Sequence, residues 1–194
     1  MIQKCPFPSP PPGYKLIPVK TTHLEMKKKP ETAPVVVPAG CDVKQWRNPG
    51  TKEYKDLFTA VGKEWGWSGR LILKEEELKA VIQAKSNEIY RLYCGGEVAG
   101  FAELDRSVEG QVEIAYFGLV PEFIGRGLGK FFLDWAVRKA WEGETERVWL
   151  HTCQYDHPGA LSVYLKAGFR VTAKRTETHP YAGEFLRRFP PAGC

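Results

Sequence analysis

QVEIAYFGLVPEFIGRGLGKFFLDWAVRKAW, residues 111–141, changes its hydrophobic period halfway along. The first ten residues, QVEIAYFGLV, are rich in β-branched and aromatic side chains and read as a strand. Pro121 to Gly127 interrupts it. From Gly127 to Trp141 the apolar residues Leu128, Phe131, Phe132, Trp135 and Ala136 recur at helical spacing. A strand, a glycine-rich loop and a helix therefore follow one another directly.

The join is where chemistry is expected. The first N–H groups of a helix have no intrahelical acceptor, and the helix dipole is positive at that end. Gly125, Gly127 and Gly129 remove side chains that would block close approach, while Arg126 and Lys130 add positive charge. A pyrophosphate would fit. Two common phosphate loops are excluded by residue type. A Walker A loop would need glycine and Ser/Thr where Ile124 and Phe131 stand, and a Rossmann fingerprint would need glycine where Lys130 stands.

Working outward, EIYRLYC (88–94), a Gly95-Gly96 turn and EVAGFAELD (97–105) precede the central strand and predict an antiparallel meander. Upstream, residues 51–61 predict a helix capped by Thr51, with Tyr54, Leu57, Phe58 and Val61 on one face. Residues 74–83 predict a second helix, and an aromatic loop, Trp65 to Gly69, joins the two. YKLIPVKTTHLEM (14–26) reads as a strand that Pro18 confines to an edge or a break, and residues 27–50 read as a linking loop. Downstream come the strand ERVWLHT (146–152), a helix started by Pro158 and stopped by Gly168, and the strand FRVTAK (169–174). The pattern predicts an α/β (α+β) domain with a mixed, mainly antiparallel sheet flanked by helices. It divides into a Pro-rich tail (1–14), one domain (15–178) and a C-terminal extension (179–194) without an assigned element.

The segment VPEFIGRGLGKFFLDWAV resembles the phosphate-binding segment of the GNAT superfamily of acyl-CoA-dependent N-acetyltransferases, Q/R-x-x-G-x-G/A, with Gly127 and Gly129 in the glycine places. DHPGALSVYLKAGF resembles a later family segment, N-x-x-A-x-x-x-Y-x-x-x-G-F, with Ala160, Tyr164, Gly168 and Phe169 in register. The resemblance covers roughly residues 75–175. It implies splayed strands forming a coenzyme A cleft, with acetyl-CoA as acyl donor and a small-molecule or peptide amine as acceptor. It further implies that amides from Gly125 through Arg126, Gly127, Leu128 and Gly129 to Lys130 hold the pyrophosphate, and that Leu119 and Val120 present backbone groups to the pantetheine arm. Two positions depart from the family pattern: Ile124 replaces the usual Arg or Gln, and His157 replaces asparagine. An alternative consistent with both is a non-catalytic module that senses acyl-CoA.

Acyl transfer to an amine needs a proton acceptor for the amine and a donor for the leaving thiolate. Tyr164 matches the family's proton donor, and its phenol, with an ordinary pKa of about 10, enters the reaction protonated. Glu113, early in the strand that leads into the loop, resembles the glutamate base of histone-type members. Glu103 and Asp105 are alternatives acting through water. Trp65, Trp67, Tyr90 and Phe101 are expected to shape the acceptor pocket. A Cys-His hydrolase would instead require Cys153 beside His151 or His157 in space.

Composition bounds the rest. The chain has 194 residues, a hydrophobic fraction of 43% and a net charge of +5, as expected of an ordinary globular domain. Its densest basic cluster, Lys27-Lys28-Lys29, has no interleaved aromatics, which argues against nucleic acid. No segment approaches the roughly 20 apolar residues of a membrane span, and MIQKCPFPSPPPGY lacks the apolar core of a secretory signal, so a cytoplasmic location is expected. Five cysteines without CxxC spacing argue for reduced thiols and no metal site. The sequence leaves open whether the chain forms a homodimer.

Overall fold

A computed structural model describes residues 10–191. Most of the Pro-rich tail therefore lies outside the described residues. In chain order the elements are β1 (Tyr14–Met26), β2 (Cys41–Gln45), α1 (Thr51–Gly62), α2 (Glu75–Ile82), β3 (Asn87–Cys94), β4 (Glu97–Asp105), β5 (Gln111–Leu119), α3 (Leu128–Ala140), β6 (Arg147–Cys153), α4 (Ala160–Lys166), β7 (Arg170–Ala182) and α5 (Gly183–Arg188). The seven strands form one sheet in the order β2-β3-β4-β5-β6-β1-β7.

Every neighbouring pair is antiparallel except β5 and β6, which are parallel. A parallel pair needs a crossover, and α3 supplies it. The helix has its apolar residues on one side: Phe131, Phe132, Leu133, Ala136, Val137 and Ala140 are all buried. Phe132 packs against Phe117 of β5, with ring centroids 5.2 Å apart. β4, in the middle of one half of the sheet, is buried along six consecutive residues, as its run of small and apolar side chains requires. On β1, Ile17 and Val19 pack with Tyr181 and Phe185, whereas Leu24 and Met26 pack with Leu133 and Val137. The change coincides with a bulge between His23 and Leu24.

Several expectations are corrected. Pro18 sits in a strand with neighbours on both sides, but the ladder to β6 covers only Thr21 to Met26, so the prolyl nitrogen has no ladder bond to make on that side. Residues 27–50 are not wholly a loop. They contain β2, a short, largely exposed edge strand whose weak apolar pattern conceals it. Gly50, not Thr51, is the N-cap of α1, and the Thr51 hydroxyl donates instead to Glu75 at 3.1 Å. Pro158 precedes α4 by two residues rather than starting it. The last strand runs past residue 178 to Ala182, because β1 offers it a full-length partner from Tyr14 to Glu25, and α5 follows.

The cysteines are also corrected. Cys41 and Cys94 stand directly opposite in the β2–β3 register, with Cα atoms 4.1 Å apart, and form a disulfide across 53 positions of sequence. The spacing carried no signal because β2 itself was not legible. Among the described residues no helix is long and apolar enough to cross a membrane, and no cluster of His, Cys, Asp and Glu is arranged to hold a metal ion. Thiol titration of the unfolded protein is expected to find two more reactive thiols after reduction than before. Cys94→Ala is expected to lower stability by about 2–4 kcal/mol in urea unfolding under non-reducing conditions.

Candidate functional site

The parallel ladder between β5 and β6 consists of three residue pairs, ending at Glu113↔Trp149. Beyond it β5 continues to Leu119 paired only with β4, and β6 continues to Cys153 paired only with β1. The strands part, and the gap is a cleft of about 780 Å³. One end is lined by the glycine loop and the floor by Glu113, His151 and Asp105. The aromatic loop, residues 65–70, and α4 form the walls, and His179, Pro180 and Tyr181 of β7 close the far side.

At the loop end, Gly125 and Gly127 adopt left-handed backbone conformations (φ +82° and +77°), which side-chain-bearing residues rarely take. A Cβ at either would meet no atom within 4 Å, so neighbouring protein does not fill the space above the loop. Gly127 is the N-cap of α3 and offers no capping side chain, which leaves the first-turn N–H groups without a side-chain acceptor. Gly125, Gly127, Gly129 and Lys130 line the cleft together with Leu119. Leu128 is buried, and the Arg126 guanidinium lies 4.9 Å from the Phe123 ring. Val120 faces inward: its N–H donates to Ala99 and its carbonyl accepts from Phe123, both at 3.0 Å. Leu119 is thus the residue of that pair that borders the gap. Ile124 is 40% exposed at the lip. Open backbone, an uncapped helix start and a lysine suit a pyrophosphate.

Tyr164 projects from α4 into the cleft, edge-on to Phe169, and its hydroxyl has no hydrogen-bond partner among the described residues. Burial and the Asp156 charge raise its pKa, so it remains a proton donor at neutral pH. Glu113 lies 3.3 Å from His151 Nδ1. Asp156 organises the turn after β6: its carboxylate accepts from the Thr152 hydroxyl at 2.7 Å, the Cys153 N–H at 2.8 Å and the Trp67 indole at 3.3 Å. His157 accepts from the Gly159 N–H and packs edge-on against Trp65, as a turn residue. Cys153 touches Tyr181 rather than a histidine, and burial pushes its thiol up, which disfavours the hydrolase reading.

Trp65 and Trp67 line the cleft; Tyr90 and Phe101 do not. β3 and β4, which carry them, lie on the far side of β5 from the gap. Tyr90 packs edge-on to Trp135 of α3, and Phe101 is enclosed by Tyr54, Phe58 and Trp67. Glu103 is likewise removed from the chemistry. It is 0% exposed and bound by Arg70 at 2.5 Å, Tyr54 at 2.5 Å and Asn87 at 3.0 Å.

This buried group orders the aromatic-loop end of the cleft, and its one mark in the sequence is a polar residue in an apolar strand. The Arg70 guanidinium also lies 5.1 Å from the Tyr116 ring. Burial, opposed by Arg70 and reinforced by Glu103, Glu113 and Asp156, pushes the Tyr116 phenol up to about 12. Tyr181 comes from the segment that had no assigned element. His151 and His179 are exposed to the cleft only because β6, β1 and β7 assemble side by side.

Residues 46–169 match the family model described as "Acetyltransferase (GNAT) family". Among solved structures the chain is similar to a GCN5-related N-acetyltransferase from Kribbella flavida (TM-score 0.58, 17% identity, 88% of this chain and 60% of that one). It is also similar to a GCN5-related N-acetyltransferase from Sphaerobacter thermophilus (TM-score 0.61, 17% identity, 88% and 53%). A Bacillus subtilis acetyltransferase solved in complex with CoA gives TM-score 0.53 and 22% identity over 69% of this chain and 78% of that one. At these identities the shared property is the fold, and the chain spans 60% and 53% of the length of the first two. No curated protein matches it in sequence. For the buried pair, Arg70→Met is expected to cost about 3–5 kcal/mol by leaving Glu103 uncompensated. The double variant with Glu103→Leu should cost less, measured by thermal and urea unfolding.

Proposed function

The chain belongs to the GNAT acetyltransferase family, and from that premise we propose that it transfers an acetyl group from acetyl-CoA to the amine of a small molecule or peptide, by direct attack within a ternary complex. The observation that carries the reading is the parting of β5 and β6 after Glu113↔Trp149. It places an uncapped, glycine-lined helix start, a carboxylate and an unpartnered tyrosine hydroxyl around a single cleft.

In this reading the N–H groups from Gly125 to Lys130 bind the pyrophosphate, with charge from Lys130 and Arg126. The backbone at Leu119, beside Val120, borders the pantetheine arm. Acetyl-CoA supplies the activated thioester. Tyr164, protonated at neutral pH, donates a proton to the departing sulfur. Glu113 supplies the basic site, directly or through a water. Trp65 and Trp67 bound the acceptor space, so fit rather than charge discriminates among acceptors at that end.

Isothermal titration with acetyl-CoA tests the donor site. Wild type is expected to bind, and Gly127→Glu and Lys130→Glu to weaken binding about tenfold or more, since each brings negative charge to the positive end of α3. Failure of wild type to bind would overturn the reading. Turnover separates an enzyme from an acyl-CoA sensor. With an amine that is acetylated, Tyr164→Phe is expected to lower kcat about 10²-fold, with little change in the KM for acetyl-CoA.

A further inference from the structure

Imidazoles and carboxylates from four strands form one cluster: Glu113 of β5, His151 of β6 and His179 of β7 line the cleft, and His23 of β1 and Glu177 of β7 adjoin them. Their meeting follows from register. β6 buries Val148, Leu150 and Thr152, so the intervening His151 points to the opposite side and into the cleft. His23 is its direct cross-strand partner on β1, with ring centroids 5.9 Å apart. The His179 ring stacks near that of His151, at 6.4 Å and 17°. Glu177 is shared, 2.8 Å from His23 Nε2 and 3.4 Å from His179 Nε2. His151 is the member that combines a carboxylate at 3.3 Å from Nδ1 with a side chain still 38% exposed to the cleft that Tyr164 also lines.

We propose that the basic site is a dyad, in which His151 accepts the amine's proton at Nε2 while Glu113 holds Nδ1 and fixes the ring. This rests on the transferase reading above and adds the identity of the proton acceptor. A carboxylate of pKa about 4.3 is a poor match to an ammonium of pKa about 10.4, and imidazole, near 6.5, is closer. The step balances. The neutral amine's nitrogen forms its bond to the acetyl carbon, becoming ammonium-like, as the carbon–sulfur bond breaks. The nitrogen's proton goes to His151, the sulfur takes the proton of Tyr164, and solvent returns a proton from imidazolium to tyrosinate.

The surroundings order the protonation of the cluster. Burial alone would lower the His151 pKa, but the hydrogen bond and charge of Glu113, with Asp156 and Glu177, raise it on balance. Burial and the His151 charge lower that of His179, against the pull of Glu177. Burial opposes ionisation of Glu177, yet His23 and His179 hold its carboxyl below the ordinary value. His151 therefore takes the proton before its stacked neighbour does. Because its folded pKa is raised, the base is free only above that value, and kcat/KM for the amine should rise with pH through it. Removing Glu113 leaves burial dominant and moves the limb to lower pH.

The experiment is the pH dependence of kcat/KM for an acetylated amine in wild type, Glu113→Gln and His151→Gln, paired with NMR titration of the imidazoles. The expected result is a wild-type acid limb coincident with His151 titration, and both shifted to lower pH in Glu113→Gln. In His151→Gln, kcat/KM at neutral pH should fall about 10²–10⁴-fold with loss of that limb, and added imidazole should partly restore the rate. A His151→Gln enzyme that keeps the wild-type limb and rate overturns the dyad and leaves the transferase reading standing. A wild type that binds acetyl-CoA but acetylates none of a panel of amines overturns both.

Discussion

Backbone hydrogen bonding between β5 and β6 stops after three residue pairs, and the remaining geometry of the site depends on that stop. Continuing the ladder would have buried the strand ends against each other and left no cleft. A parallel pair joined through a helix permits the early ending, because α3 covers the crossover and supplies apolar contacts that the missing ladder does not. The end of β5 leads into the glycine loop, so the strand separation and the open helix start are built from one continuous segment of chain.

The side chains around the opening are held by a polar arrangement deeper in the sheet. Glu103 is an acidic side chain without access to water, and its three donors come from α1, the aromatic loop and β3. Burying an ion pair gives little net stability, but removing one partner is costly. The arrangement therefore works mainly as a positional constraint. It fixes Arg70, and through Arg70 the face of Tyr116 and the loop carrying Trp65 and Trp67.

Much of this was legible in the sequence, and the parts that were not share a physical cause. Strands β3, β4 and β5 and helices α2 and α3 lie within a residue or two of their predicted bounds, because each carries strong periodicity between clear turn residues. The glycine loop and Tyr164 were marked by local motifs, and both border the cleft. β2 escaped notice because an edge strand needs little apolar patterning, and the disulfide escaped with it. Tyr90 and Phe101 have the right residue type for a pocket, yet sheet order decides which side of β5 they occupy. The histidine cluster could not be read from spacing, since its members become neighbours only through non-local pairing of β1, β6 and β7.

The wall of the cleft formed by His179, Pro180 and Tyr181 depends on β7 lying along β1, and the contacts that secure it join residues far apart in the chain; His23 and Glu177 are 154 positions distant. Closing so long a loop costs chain entropy before any contact compensates it, and such topologies assemble slowly. The meander from β3 to β5, by contrast, is built from near neighbours. The expected order of events is therefore an early half-sheet carrying the glycine loop, followed by late capture of β1 and β7. In a folding experiment, the β7 side of the cleft is the last part of the molecule to acquire its shape.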